Sequence, residues 1–114
     1  MITVTFFQKD TQLAGFTCSG HAGFAPEGED IVCAAVSALV LNTVNSVEAL
    51  TDCPFLQEHS PDGGYIKLLL EEENPDARLL LKSLKLGLTQ IRDESGSGYL
   101  KIRQCRLPSE EKPE

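Results

Sequence analysis

The run of residues 31 to 41 constrains the fold of this chain more than any other stretch. Its sequence, IVCAAVSALVL, is 11 residues long and is apolar on nearly every side of a helix. Such a helix must be covered on several sides, so we expect it to pack on a sheet and on another helix or subunit. It should run from about Ile31 to about Leu50, with Asp30 as its N-cap. The apolar run is too short to span a bilayer and indicates a core helix.

Strands are predicted on both sides of this helix. Residues 2–8 (ITVTFFQ) and 13–19 (LAGFTCS) are rich in β-branched and aromatic side chains, and the short polar link between them suits a hairpin. Residues 55–59 (FLQEH) and 65–73 (YIKLLLEEE) flank a turn rich in Pro and Gly, and residues 99–105 alternate as a last strand. These stretches predict up to five strands.

A second helix is predicted to begin at Asn74-Pro75-Asp76, where an N-cap, a Pro at N1 and an acidic first turn agree. Gly87 in this helix indicates close packing. The predicted core face repeats every three or four positions and comprises Ala77, Leu80, Leu81, Leu84, Leu88 and Ile91. The sequence therefore predicts an α+β fold: a small mixed or antiparallel sheet, in the order β-β-α-β-(β)-α-β, with two helices packed against it.

Length and charge narrow the possible functions. A chain of 114 residues suits one domain, which we expect to cover residues 1–106, with residues 107–114 as a disordered tail. The net charge of −7 argues against direct binding to nucleic acid and favours a basic partner. No export signal precedes the first strand, so we expect a cytoplasmic protein with reduced cysteines, no membrane contact and no cofactor.

A histidine and a cysteine flank a loop rich in breakers. His21 follows Gly20, and Cys33 lies at about the third position of the predicted helix. Free N–H groups and the positive end of the helix dipole there would favour the thiolate and could bind an oxyanion. His21 is the histidine near Cys33 in sequence, so the pair suits a nucleophile and its general base. His59 is interpreted as a surface residue.

Residues around this pair have weaker catalytic interpretations. Ser37 lies one turn after Cys33 and could donate a hydrogen bond near it, and Asp30 could orient His21. For both, a structural role in the helix is the stronger interpretation. The loop from Ala22 to Glu29 is predicted to be a movable lid. Its candidate substrate-binding residues are Ala22, Gly23, Phe24 and Gly28.

A zinc site is the main structural alternative for the same residues. Cys18, His21 and Cys33, with Cys53 as a possible fourth ligand, offer side chains that zinc accepts. Their spacing matches no familiar finger, and no tight Cys pair is present. We therefore expect no bound metal.

The segments Gly20-His21-Ala22 and Asp30-Ile31-Val32-Cys33-Ala34-Ala35-Val36-Ser37-Ala38 together resemble the Prp family of ribosomal-processing cysteine proteases, also described as YsxB-like. The resemblance extends more weakly over residues 1 to about 105. It implies a cysteine endopeptidase that removes a short N-terminal extension from a large-subunit ribosomal protein, cutting after an aromatic residue.

The resemblance also implies roles for individual residues. The family's paired His and Cys map onto His21 and Cys33, and the Asp and Ser of its motif map onto Asp30 and Ser37. Family members are typically homodimers with a mobile loop between the catalytic residues. An apolar pocket beside Cys33 is then expected, with Phe24 as a candidate wall. The alternative is a non-catalytic acidic module that binds ribosome-assembly factors, with Cys33 merely buried.

Overall fold

Seven elements follow one another along the chain in the predicted order. The computed structural model describes residues 1–20, 27–61, 63–95 and 98–108, and of residues 27–30 the backbone only. The elements are β1 (Ile2–Lys9), β2 (Gln12–Ser19), α1 (Glu27–Leu50), β3 (Phe55–His59), β4 (Tyr65–Leu70), α2 (Pro75–Ser95) and β5 (Leu100–Leu107). The α+β prediction is confirmed, with two separate strands between the helices.

The five strands form one mixed sheet in the order β3-β4-β2-β1-β5. Neighbouring strands are antiparallel except β1 and β5, which run parallel. The predicted β1–β2 hairpin turns at Asp10 and Thr11, and Asp10 takes a positive φ of 59°, a conformation that Asp tolerates better than most residues. The central strand β2 lies between β4 and β1, so residues at its end are enclosed by neighbours on both sides.

Both helices contribute to a core that covers one face of the sheet. Alternate residues of each central strand point into this core, as the period of two requires. The fully buried strand residues include Ile2, Val4, Phe6, Phe16, Cys18, Leu68 and Leu100. The phenyl rings of Phe6 and Phe16 lie 6.2 Å apart, in a tilted pair at the centre of the core.

Helix α1 presents a valine stripe to the core. Val32, Val36, Val40, Val44 and Val47 are all at most 4 % exposed and recur every three or four residues. The segment 31–50 has a mean hydropathy of 1.6 and by length and composition alone is able to cross a membrane. One such helix is weak evidence for a membrane span, because core helices of soluble proteins pass the same test. The valine stripe confirms the prediction of a core helix.

The start of α1 differs from the prediction. The helix begins at Glu27 rather than near Ile31, so Asp30 lies in its first turn and is not the N-cap. The loop that was expected to run to Glu29 is correspondingly shorter. The acidic residues of this stretch explain the difference, because Glu and Asp in a first turn interact favourably with the helix dipole.

Helix α2 begins and packs as predicted. The side-chain oxygen of Asn74 accepts a hydrogen bond of 2.9 Å from the N–H of Ala77, which is the expected N-cap. Of the predicted core face, Ala77, Leu81, Leu84 and Leu88 are buried, and Leu80 and Ile91 pack at its margin. After α2 the chain enters β5, which extends to Leu107. Residues 109–114 of the predicted tail lie outside the described residues.

Candidate active site

Cys33 lies on the side of α1 that borders the core. Its side chain is half-buried and packs against the core cluster. It occupies the position after Val32 and so flanks the valine stripe. A thiol in this place is held by packing on one side and is accessible to a substrate on the other.

Cys18 lies opposite Cys33 on the central strand β2. It points into the core and is 1 % exposed. Burial, and to a smaller extent negative charge on the Cys33 sulfur, raises the pKa of the Cys18 thiol to about 12. The two sulfurs are therefore close enough to interact electrostatically, and Cys18 stays protonated at neutral pH.

Gly20 fixes the chain where it leaves β2. Its N–H donates a hydrogen bond of 3.1 Å to the carbonyl oxygen of Gly64, and its φ of +89° is one that side chains rarely adopt. A Cβ at this position would lie 2.5 Å from the carbonyl oxygen of Met1. Glycine is therefore required here, between the first residues of β1 and the β3–β4 turn.

His21 itself lies outside the described residues, as do Ala22, Gly23 and Phe24 of the predicted substrate loop. The residues on either side are informative. Gly20 precedes His21 directly and is two residues beyond Cys18, the thiol whose pKa is raised in part by the charge of Cys33. Gly20 therefore lies at the same end of β2 as Cys18 and its neighbour Cys33.

The remaining predicted site residues lie on α1. Gly28 is the second residue of the helix rather than a loop residue, and only its backbone and that of Asp30 are described. Ser37 is half-buried one turn beyond Cys33, so the two share a side of the helix. The role of Ser37 beside the candidate nucleophile stays a prediction.

The predicted activation of Cys33 by the helix start is wrong. Cys33 is the seventh residue of α1, whereas the N–H groups without an intrahelical acceptor belong to residues 27–30. The effect of the dipole falls off within the first turn. Cys33 therefore lies beyond the first turn, where the free N–H groups and the helix dipole act most strongly.

The cysteines do not gather in the way that the zinc alternative requires. The Cys53 sulfur lies 3.6 Å from the carbonyl oxygen of Glu72, just beyond the end of β4, whereas Cys18 pairs with Ile66 near the start of β4. Burial raises the pKa of the Cys53 thiol. Within the described ranges no group of three or more His, Cys, Asp or Glu side chains is close enough to hold a metal ion. Cys53 is thus excluded as a ligand beside Cys18.

A cavity of about 80 Å³ lies at the other end of the sheet. It is lined by the beginning of β2 and by Lys9, Arg78 and the acidic residues 71–73. Cys18 and Gly20 stand at the opposite end of β2. This cavity is therefore separate from the candidate active site.

Comparison with known proteins identifies the family. The sequence model of the family described as cysteine protease Prp matches residues 1–101. The chain belongs to the Prp family of cysteine proteases. The match spans both His21 and Cys33, and membership makes this chain a cysteine endopeptidase rather than a non-catalytic module.

Curated relatives carry the same family name. The ribosomal processing cysteine protease Prp of Bacillus subtilis is 37% identical over 87 residues, which cover 72% of this chain and 78% of that protein. The protein of the same name from Staphylococcus aureus is 30% identical over 96 residues, covering 82% of this chain and 91% of that protein.

Solved structures share the fold. A crystal structure from Streptococcus mutans aligns with a TM-score of 0.82 at 34% identity, covering 94% of this chain and 96% of that one. The essential ribosomal processing protease Prp from S. aureus, with a covalently linked product peptide, aligns with a TM-score of 0.83 at 27% identity and covers 92% of this chain and 100% of that one. This chain therefore has the same fold as a protease that has been solved with a covalently linked product peptide.

Proposed function

We propose that this Prp family member removes a short N-terminal extension from a large-subunit ribosomal protein, with Cys33 as the nucleophile and His21 as its base and acid. The observation that carries the proposal is that Cys33 lies beside Cys18. Cys18 precedes Gly20 by two residues, and Gly20, which is fixed by its hydrogen bond to Gly64, is followed in the sequence by His21. The relatives are named for ribosomal processing, which supports the class of substrate.

The reaction follows from these two side chains. His21 takes the proton of the Cys33 thiol, and the thiolate attacks the scissile carbonyl carbon. The imidazolium then protonates the leaving amine as the C–N bond breaks, which leaves a thioester on Cys33. His21 next deprotonates a water molecule, the resulting hydroxide attacks the thioester, and the acid product departs as the thiol regains its proton. The proton transfers and bond changes of this reaction require no cofactor.

Two further residues have proposed supporting roles. Asp30 lies three residues before Cys33 in α1 and orients His21 as a hydrogen-bond acceptor. Ser37 donates a hydrogen bond beside the Cys33 sulfur, from one turn away. Asp30→Asn should lower kcat more than KM if Asp30 acts through His21.

The loop that contains Ala22, Gly23 and Phe24 contacts the substrate, and Phe24 forms part of an apolar pocket for the aromatic side chain that precedes the cleaved bond.

The test of the catalytic proposal uses the basic ribosomal proteins of the source organism as substrates. New N-termini are read by mass spectrometry after incubation with the wild-type chain, with Cys33→Ala, with His21→Ala and with Cys105→Ala. Cys105→Ala is the matched control, because Cys105 is an exposed thiol on β5. We expect one large-subunit protein to lose its extension with the wild type and the control only. Cleavage that survives Cys33→Ala contradicts the proposal.

We also propose that the chain acts as a homodimer through the outer face of α1, defined as Ile31, Ala34, Ala38 and Leu41. All four side chains are exposed, Ile31 at 71% and Leu41 at 50%. Only 33% of the segment 31–50 is buried, although it is the most apolar helix of the chain. A second copy would cover this apolar face through a two-fold contact.

Sedimentation velocity tests the dimer. Leu41→Lys should shift the protein to a monomer. The matched control is Leu56→Lys, because Leu56 is similarly exposed (52%) but lies on the edge strand β3. A monomer produced by Leu56→Lys and not by Leu41→Lys would move the interface to β3.

We place the reaction in the cytoplasm. All four cysteines, Cys18, Cys33, Cys53 and Cys105, are present as thiols and none is in a disulfide. A reducing compartment keeps a nucleophilic thiol active and explains this use of cysteine. Cell fractionation with an antibody to the native chain tests the assignment.

A further inference from the structure

The positive charges of this acidic protein are concentrated in two elements. Residues 77–92 of α2 and residues 100–107 of β5 together hold seven of the ten Lys and Arg side chains and none of the 17 Asp and Glu side chains. The rest of the chain therefore carries three cations against all the acids. A net charge of −7 conceals a strongly basic region.

The two basic elements lie side by side. The Nζ of Lys85 on α2 donates a hydrogen bond of 2.8 Å to the side-chain oxygen of Gln104 on β5. The same Lys85 Nζ lies 5.9 Å from the ring centre of Phe6, and the amide of Gln104 donates in turn to Gln8 on β1. Lys82 lines the same groove between α2 and the β1–β2 hairpin. The cations of α2 are thus held beside the edge strand.

Strand β5 is an edge of the sheet and pairs only with β1. Its cations Lys101, Arg103 and Arg106 are all exposed. Lys101 and Arg103 point to the helix-free face and Arg106 points to the helix side, since successive strand residues alternate. We call Lys82, Lys85, Lys101, Arg103 and Arg106 the basic edge. From residue 101 to residue 106 it extends about 16 Å along the strand.

The chemistry of the basic edge suits a phosphate backbone. The groove beside the basic edge is lined by Gln8, Thr11, Thr89 and Gln104 with the two lysines, and by two apolar side chains, Leu13 and the exposed Leu86. Interfaces with nucleic acid are more polar and more positive than those between proteins, which have an apolar centre. The apolar exposed residues of α1, by contrast, form a separate face. Asp10 lines a shallow depression with Arg106, so the charge of Arg106 is partly balanced there.

We propose that the basic edge binds the sugar–phosphate backbone of RNA without reading its sequence. The main contacts are from Lys82, Lys85, Lys101 and Arg103. This function is additional to proteolysis and does not depend on it. It would hold the enzyme on an RNA-rich particle while the active site, at the end of β2, acts on a protein extension.

Fluorescence anisotropy with a labelled oligouridylate of about 16 nucleotides tests the proposal. The protein carries Cys33→Ser, so that RNA binding is measured apart from protease activity. If three or four phosphates are neutralised, the association constant should fall by a factor of about 10 to 100 between about 50 and about 200 mM salt. Lys101→Glu with Arg103→Glu should weaken binding at least about tenfold at the lower salt concentration.

A control with the same change in net charge distinguishes a local site from general repulsion. Lys67→Glu with Arg78→Glu is suitable, because Lys67 pairs in register with Glu58, and Arg78 lines the cavity that holds the acidic residues 71–73. This pair should retain most of the affinity. Equal losses in both double variants would overturn the proposal, as would the absence of any binding to the oligouridylate at the lower salt concentration.

Two other outcomes would also overturn the proposal. Cations on an edge strand can serve only to prevent pairing with other sheets. In that case the Lys101→Glu, Arg103→Glu variant would bind RNA as the parent does, because glutamate is also charged and keeps the edge unpaired. If an oligoglutamate peptide of equal charge binds as tightly as the oligouridylate, the basic edge is a docking surface for acidic protein.

Discussion

The N–H of Gly20 donates a hydrogen bond of 3.1 Å to the carbonyl oxygen of Gly64, and this bond ties the end of β2 to the β3–β4 turn. On its other side, Gly20 approaches the first residue of the chain closely. The residue before His21 is therefore held from two directions, which supports a fixed starting point for the candidate base. The predictions below test this arrangement and the packing around it.

Gly20→Ala should destabilise the protein more than Gly63→Ala does. Both glycines have positive φ values, +89° and +79°, so both substitutions incur backbone strain of about 1 kcal/mol or more. Only at Gly20 does the new Cβ collide with backbone, 2.5 Å from the carbonyl oxygen of Met1. For Gly20→Ala we expect the free energy of unfolding, measured in urea, to fall by about 2 kcal/mol or more. We also expect kcat to fall, because Gly20 directly precedes His21. Equal losses would contradict the close approach at Gly20.

The four thiols should react with iodoacetamide in a definite order near neutral pH. Cys33 should react fastest, because the proposed role as nucleophile requires a thiolate, and the exposed Cys105 should follow. Cys18 and Cys53 should remain unmodified, since burial raises both pKa values. Mass spectrometry of peptides gives each rate. His21→Ala should slow Cys33 to about the rate of Cys105 and leave Cys105 unchanged; a Cys33 rate indifferent to His21 would remove the histidine from the mechanism.

The stability of the fold should fall at alkaline pH because of Cys18. Its pKa is raised from 9.0 to about 12 in the folded state, so the folded protein retains a proton that the unfolded chain loses. The contribution of this proton to the free energy of unfolding is fully present below pH 9 and is lost as the pH rises toward 12. By pH 10.5 the free energy of unfolding should have fallen by about 2 kcal/mol on this account. Urea unfolding at several pH values measures it. In Cys18→Ala the decline should be shallower, and an unchanged slope would contradict the raised pKa.

Much of the fold was predictable because its signals are local. The Asn74-Pro75-Asp76 sequence specified the start of α2, and the alternation of β1 specified its buried face. The start of α1 was not predictable to the residue, because Glu27, Gly28 and Glu29 combine breaker and first-turn signals. The first-turn signals prevailed, because Glu and Asp there interact favourably with the helix dipole. That shift of four residues moved Cys33 away from the free N–H groups.

For the candidate site, the sequence predicted that Cys33 and Ser37 lie one turn apart on a helix, and it brought Cys18 near Cys33 only as a possible zinc ligand, not as a buried core thiol. The signal was present: Cys18 follows Phe16 on the core-facing side of β2. Which helix residue would lie above it depends on long-range packing, which no local pattern encodes. The expectation of no nucleic-acid contact remains untested and rested on the net charge of the whole chain. Net charge does not reveal that residues 77–92 and 100–107 carry seven cations and no acid, although Asp76, Asp93 and Glu94 lie at the ends of α2.

The contact between Gly87 of α2 and Leu39 of α1 can be tested by changing each residue alone and both together. A Cβ at Gly87 would lie 2.9 Å from the Cδ1 of Leu39, the end of a flexible side chain that can move. Alanine is favoured over glycine inside a helix by about 1 kcal/mol, so Gly87→Ala should leave the free energy of unfolding nearly unchanged as the two effects offset each other.

In a Leu39→Ala background the collision is removed, and Gly87→Ala should then stabilise the protein by about 1 kcal/mol. The difference between the two backgrounds, measured by urea unfolding, is the coupling energy of the pair. A coupling near zero would mean that the helices do not meet at these two residues. A clear coupling would confirm the interpretation of Gly87 as the point where α1 and α2 approach most closely.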